Sequence, residues 1–166
     1  MKYGLTGHTS GIGRAIYDRL KPHVVGFSRS NGYDITSKSD RARICADLVD
    51  CDVFINNARA DYAQVDMLID IFSSWKDYHK TIINVGSRIA DITLNSSNLH
   101  LLYYAAQKRA LRSVIDDMQG YCCAVTYVHF GYVGTERILN KYPNMTPDQY
   151  ISVDKAVNII LGGRNV

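Results

Sequence analysis

The apolar positions of this chain fall into two alternating spacings. Short β-branched runs at residues 2–6, 24–27, 53–55, 81–85 and 124–129 read as strands, and residues 33–35 as a very short further one. Between them, apolar residues recur at helical intervals. Ile12, Ala15, Ile16 and Leu20 line one face of a first helix, which Pro22 brings to an end. Residues 36–39 offer caps for a helix that buries Ile44 and Leu48, while Val65, Leu68, Phe72 and Trp75 suit the inner face of the next. Leu111, Val114, Ile115 and Met118 form the cleanest stripe, on a helix expected to begin near Tyr103. Thr146-Pro147-Asp148 reads as an N-cap with proline at the first helical position, leading into a last helix through Val157, Ile160 and Leu161.

Apolar strands alternating with amphipathic helices predict an α/β fold whose parallel sheet is covered on both faces. Right-handed crossovers make it a Rossmann-like, doubly wound sheet of about six strands in the order 3-2-1-4-5-6. One step is irregular. Only about six residues separate the second and third strands, too few for a helical crossover. Either a helix has been cut out or the third strand is vestigial.

At 166 residues the chain suits a single domain over 1–166, able to bury roughly 70% of its unfolded surface without disulfides or metal. Hydrophobic residues at 46% and charged residues at 21% argue against disorder. Lys plus Arg exceed Asp plus Glu by 19 to 16, too mild an excess to imply a nucleic-acid partner. No apolar run approaches the ~18 residues of a membrane helix, and the chain leaves no room for a signal peptide before its first glycines. Cys45, Cys51, Cys122 and Cys123 lack metal-ligand spacing and read as reduced core residues of a cytoplasmic protein, with no metal site.

The first chemistry lies directly after the first strand. Gly7, His8, Thr9, Ser10, Gly11, Ile12 and Gly13 make a glycine turn that opens a helix, where free N–H groups and the helix dipole favour a pyrophosphate. These seven residues are expected to bind a dinucleotide, with the His8 side chain turned to solvent. The second strand ends in Ser28-Arg29-Ser30 with no carboxylate to hold a ribose 2′-OH. Arg29, flanked by two hydroxyls, suits a 2′-phosphate, so NADP(H) is preferred to NAD(H).

Tyr104 and Lys108 stand at i and i+4, neighbours on one helix face. An ammonium beside a phenol stabilises its ionised form and makes it a usable proton donor and acceptor. Tyr17 and Lys21 share that spacing but lie at the far end of the first helix from the glycine turn, and read as surface. Ser87 follows the 81–85 strand at the edge where doubly wound sheets bind ligands, able to cap a turn or to hydrogen-bond a substrate oxygen. His129 reads as a satisfied core residue, Asp116-Asp117 as a solvated helix face and Tyr103 as packing.

Taken in order, Thr6-Gly7-x-x-x-Gly11-Ile12-Gly13, Asn56-Asn57-Ala58, Ser87 and Tyr104-x-x-x-Lys108 resemble the motifs of the short-chain dehydrogenase/reductase family, over about residues 3–160. The resemblance implies that Asp34 and Ile35 contact adenine, that Asn57 and Ala58 lie along the adenine ribose, and that Ser87 positions a carbonyl. It implies further that Tyr104 delivers the proton and that Lys108 holds the nicotinamide ribose while tuning Tyr104. Phe130-Gly131-Tyr132-Val133-Gly134-Thr135 matches the family's Pro-Gly-x-Val/Ile-x-Thr segment, so Val133 would meet the carboxamide and Thr135 the pyrophosphate or carboxamide.

The chain departs from that pattern in several places. Arg59 stands where the family has glycine, and Phe130 where it has proline. Only 30 positions separate Asn57 from Ser87, and no Asn occurs from 58 to 83, so the family's catalytic Asn has no counterpart. Ser87 to Tyr104 is 17 positions, slightly long, and Gly162-Gly163-Arg164-Asn165-Val166 stands where the family continues into a last strand. A short version of the fold is expected, with little lid between Thr135 and Pro147 and a shallow, open pocket.

The implied activity is NADP(H)-dependent reduction of a small-molecule carbonyl, or oxidation of an alcohol, by hydride transfer with Tyr104 exchanging the proton. The alternative is a catalytically weak or inactive NADP-binding regulatory or scaffold protein. An epimerase of the family's extended branch ranks last, since the chain lacks its large substrate domain. By the same resemblance, helices at 62–76 and 103–118 would form the interface of a homodimer or homotetramer.

Overall fold

The computed structural model describes residues 1–162; Gly163, Arg164, Asn165 and Val166 lie outside the described residues. Eleven principal elements follow one another: β1 (Tyr3–Thr6), α1 (Gly11–Leu20), β2 (Val24–Phe27), α2 (Lys38–Asp47), β3 (Val53–Asn56), α3 (Ala63–Trp75), β4 (Thr81–Ser87), α4 (Leu99–Asp117), β5 (Ala124–Phe130), α5 (Glu136–Lys141) and α6 (Val153–Ile160). The strands pair in parallel in the order β2-β1-β3-β4-β5. This is the Rossmann-like winding expected, with five strands among the described residues.

The missing strand is residues 33–35, and local hydrogen bonding explains its loss. Arg29–Asn31 forms a 3-10 turn closed by a Ser28/Asn31 capping box, with Gly32 left-handed at φ 84°. Tyr33 N–H then bonds to Ser28 O, and Asp34 N–H to the Asp40 carboxylate at 2.9 Å. The Asp34 carboxylate in turn accepts from Thr36 N–H and Oγ1–H. Turn and cap contacts take these groups and none goes to β2; Ile35 is buried, and Tyr33 packs at the core's edge against Phe27. The short connection therefore reflects a strand given up, and Ser37 starts α2 by accepting from Asp40 N–H.

Strand alternation sends neighbouring residues to opposite faces of the sheet. Phe54, Ile82 and Val125 join α2, α3 and α4 in one core through Ile44, Leu68, Ile71, Trp75, Leu111 and Ile115. Leu5, Val53, Ile55, Ile83 and Val85 join α1 and α6 in the other, through Ile16, Leu20, Val157 and Ile160. Each fully buried aliphatic side chain stabilises by about 1.5–3 kcal/mol relative to exposure.

Several boundaries differ from the sequence reading. Helix α4 begins at Leu99, with Asn98 Oδ1 accepting from Leu101 N–H, a turn before Tyr103, because exposed Leu99 and His100 carry no apolar rhythm. Thr146-Pro147 caps only a 3-10 turn, Pro147–Gln149, and α6 starts afresh at its own cap, Ser152. His129 is exposed, its Nδ1 3.5 Å from Asp91, because β5 is an edge strand among the described residues. Tyr103 is exposed and not packing. All four cysteines are free; Cys51 and Cys123 are buried, but Cys122 is exposed. Burial pushes the Cys45 and Cys123 thiols up to about 11. Among the described residues, no helix is long and apolar enough to cross a membrane.

Candidate functional site

The carboxyl ends of β1, β3 and β4 gather the conspicuous residues along one rim. At its β1 end, buried Thr6 turns its hydroxyl to Asn57 N–H and Ala58 N–H, both at 3.0 Å. Asn57 Nδ2 donates back to Thr6 O at 3.1 Å, and Gly7 N–H reaches Phe27 O at 2.8 Å. Asn57 and Ala58 thus pin the glycine turn to the sheet. Gly7 and Gly11 have φ of 73° and 52°, left-handed values that glycine adopts without cost.

A Cβ at Gly13 would lie 2.0 Å from Gly7 O and 2.6 Å from Asn57 Nδ2; one at Gly11 would lie 3.3 Å from Thr135 Cγ2. The turn is therefore a cradle that side chains would fill. Thr9 and Ser10 on it are exposed and Ile12 is half-buried. Ser10 makes no side-chain cap, so the first-turn N–H groups of α1 stay available to an anion. This geometry fits the diphosphate of a dinucleotide, with Thr135 facing Gly11 from across the cradle. Val133, two residues before Thr135, is buried and bridged to Ile151.

His8 departs from expectation. Its ring is not turned to solvent but covers Gly26, where a Cβ would come within 2.5 Å, and it stands 4.9 Å from the Tyr17 ring. Its Nδ1 is buried without a hydrogen-bond partner. Tyr17 and Lys21 are a surface pair, the ammonium 4.7 Å above the ring.

At the β2 end, Ser28 and Ser30 hydroxyls lie 2.8 Å apart, and Arg29 between them is exposed. The Asp34 carboxyl is held below its ordinary range by the two Thr36 hydrogen bonds, with Arg29's charge adding to them. Ile35 is buried beneath. Together these residues present hydroxyls and a guanidinium, a donor set suited to a phosphate.

At the β4 end, Ser87 closes the strand and caps the 3-10 turn Arg88–Asp91, its Oγ accepting from Ile89 N–H at 3.4 Å. Tyr127 braces it from β5, accepting from Ser87 N–H at 3.2 Å and donating to Ser87 O at 3.3 Å. Gly86 leaves room for that ring, since a Cβ there would meet it at 2.1 Å.

Lys108 is 4% exposed, and its Nζ donates to Gln64 Oε1 at 2.6 Å and Val85 O at 3.1 Å. Gln64 Nε2 donates in turn to Asn56 O and Val85 O, while Asn56 Nδ2 bonds Gln64 O and Asn84 Oδ1. Burial, followed by the charge of Arg59, draws Lys108 down to about 7. Its Nζ stands 5.8 Å from the Tyr104 ring centre, and the Arg59 guanidinium lies nearer, at 4.8 Å.

The structure thus brings Tyr104 beside Lys108, and ties Lys108 to the strand that ends on Ser87. Beside Tyr104 opens a cleft of about 370 Å³, lined by Arg59, Tyr62, His100, Tyr103 and Gln107 among others. Sequence reasoning missed Gln64 and Tyr127. Gln64 extends the inner stripe of Leu68, Ile71 and Trp75 one turn toward the helix start, and a polar residue on that stripe was the available signal. Tyr127 offered none, since aromatic residues are ordinary in strands.

No family model and no curated protein matches this chain. Solved structures do. A short chain dehydrogenase from Burkholderia cenocepacia J2315 in complex with NADP aligns at TM-score 0.81 and 21% identity, over 98% of this chain and 85% of that one. A short-chain dehydrogenase/reductase from Vibrio parahaemolyticus aligns at 0.74 and 14%, over 98% and 90%. A short-chain dehydrogenase from Sphingobium yanoikuyae in complex with NADPH aligns at 0.70 and 18%, over 98% and 84%.

Proposed function

We propose, starting from the short-chain dehydrogenase/reductase fold of this chain, that it is an NADP(H)-dependent oxidoreductase of the carbonyl reductase or alcohol dehydrogenase type. The observation that carries the reading is Lys108: an almost fully buried amine beside the Tyr104 ring, fastened to the strand that ends on Ser87. Residues 7–13 with Thr135 would hold the diphosphate, Ser28, Arg29 and Ser30 the 2′-phosphate, Asp34, Ile35, Asn57 and Ala58 the adenosine side, and Val133 the carboxamide. When bound, the nicotinamide supplies or accepts the hydride.

The protein's part is to hold the substrate and move the proton. Ser87 Oγ accepts from Ile89, which leaves its O–H to donate to the substrate oxygen. Tyr104 gives that oxygen its proton in reduction and takes it back in oxidation. Lys108, brought to about 7, exchanges its own proton near neutrality and can restore the phenol. Gln64, through its amide at 2.6 Å, keeps the amine in place without the family's Asn.

Titration with NADPH and NADH in parallel, followed by cofactor absorbance over a panel of carbonyl compounds, tests the reading. NADPH binds more tightly, and Tyr104→Phe lowers turnover by about 10²–10⁴-fold. Binding of neither nucleotide, or native rates in Tyr104→Phe, would overturn it.

One observation favours the regulatory alternative: Lys108 is drawn toward Gln64 and Val85, and Arg59 stands nearer the Tyr104 ring than the amine does. Nucleotide binding with no turnover would select it. We further read residues 1–166 as one dinucleotide-binding domain of a cytoplasmic protein whose partners are small molecules, not nucleic acid or membrane. Exposed Ile69 on α3 and Leu99 on α4, both outside the cleft, support assembly as a homodimer or homotetramer.

A further inference from the structure

We infer that the cleft beside Tyr104 takes a substrate bearing a carboxylate, gripped by Arg59 while its carbonyl faces the phenol. The inference rests on the reading of Tyr104 as proton donor and adds the class of substrate. Arg59 is exposed, and among the described residues no carboxylate lies within ion-pair distance of it. Asp61, the acid on the cleft's rim, is itself exposed and does not pair with it. The guanidinium lies over the Tyr104 ring at 4.8 Å, with its charged fork unspent. Arginine's planar donors match a carboxylate bidentately, and stacking on an aromatic face limits the orientations it must give up on binding.

Two cations flank the phenol. Lys108 feels the charge of Arg59, and Lys108's own hydrogen bonds go to Gln64 and Val85. An anionic group entering the cleft would meet Arg59 alone of the two. Gln107 also lines the cleft and adds an amide side chain to its wall. The cleft's size, about 370 Å³, stands near the lower end of the roughly 300–1,000 Å³ of small-molecule sites. These features together describe a short oxo acid, or the corresponding hydroxy acid, with the carboxylate close to the reacting carbon.

The test compares 2-oxobutanoate with its methyl ester, first by calorimetric binding to the native protein, Arg59→Gln and Arg59→Lys, then by turnover with NADPH. Circular dichroism checks that each variant is folded. The native protein binds the acid about tenfold or more tightly than the ester, as a charge-assisted hydrogen-bonded pair requires. In Arg59→Gln the ratio falls to about one, and Arg59→Lys restores part of it. Equal binding of acid and ester by the native protein, or a preference that survives Arg59→Gln, overturns the inference. Acid-selective binding with no turnover of this acid or of any compound in the carbonyl panel supports Arg59's role and ends the reductase reading. Turnover of neutral carbonyl compounds with no preference for acids supports the reductase and ends this inference.

Discussion

Around the glycine turn, contacts are made by backbone and by short side chains: Gly7 N–H to Phe27 O, Thr6 Oγ1 to two amides, Asn57 Nδ2 to Thr6 O. Around Tyr104 they run between long side chains on different elements, Lys108 to Gln64, Gln64 to the β3 and β4 carbonyls, Arg59 over the phenol. The first region has little choice of residue, because the path of the chain itself shapes the cradle. The second depends on which side chains meet: an amide holds the lysine, and a guanidinium lies over the phenol ring. On the proposed reading, such a site would keep its nucleotide end by backbone geometry and change its substrate end by side-chain substitution.

The strongest way to break that contrast is Gly13→Val. With 2.0 Å between its Cβ and Gly7 O, the variant should lose dinucleotide binding and about 3 kcal/mol or more of stability, read by titration and thermal unfolding. Native binding would show that the turn is not set by backbone.

Next comes Gln64→Leu, which leaves Lys108 with one partner and two buried carbonyls weakened. It should cost about 2–4 kcal/mol in chemical denaturation, and an unchanged midpoint would make the network dispensable.

A third measurement sharpens the electrostatics. Between pH of about 7 and 10.5 the unfolded chain holds a proton on Lys108 that the folded chain has shed, so this group makes stability rise with pH across that window. Below about 7 its cost is at full size and constant. Lys108→Met should flatten that part of the stability profile, by an amount of order a few kcal/mol.

The smallest expected effect is Arg29→Ala, which should weaken NADPH about tenfold and leave NADH unchanged, because Arg29 is exposed and its pairing screened by water. Equal loss of both nucleotides would remove it from phosphate recognition.

The winding of the sheet and the placing of Gly7, Ser87, Tyr104 and Lys108 were legible in the sequence, because each rests on local signals: apolar period, turn chemistry and helix spacing. What escaped was set by partners distant in the chain. Residues 33–35 carry a strand-like pattern, yet the Ser28, Asn31, Asp34 and Asp40 side chains capture the local backbone. Gln64 looks like one polar residue on an apolar stripe until Lys108 arrives from 44 positions away. His8 lies in a turn where side chains ordinarily face water, but the missing Cβ of Gly26 gives its ring a seat.

One consequence follows from β5. Its seven residues pair with β4 and, among the described residues, with nothing on the other side. An open parallel ladder is a template for any extended segment that can match it. Exposed Thr126 and His129, with Asp91 and Arg112 alongside, make that border wet and charged. Their polarity discourages filaments, and apolar replacements along this border are the changes most apt to trade a dispersed protein for a precipitate.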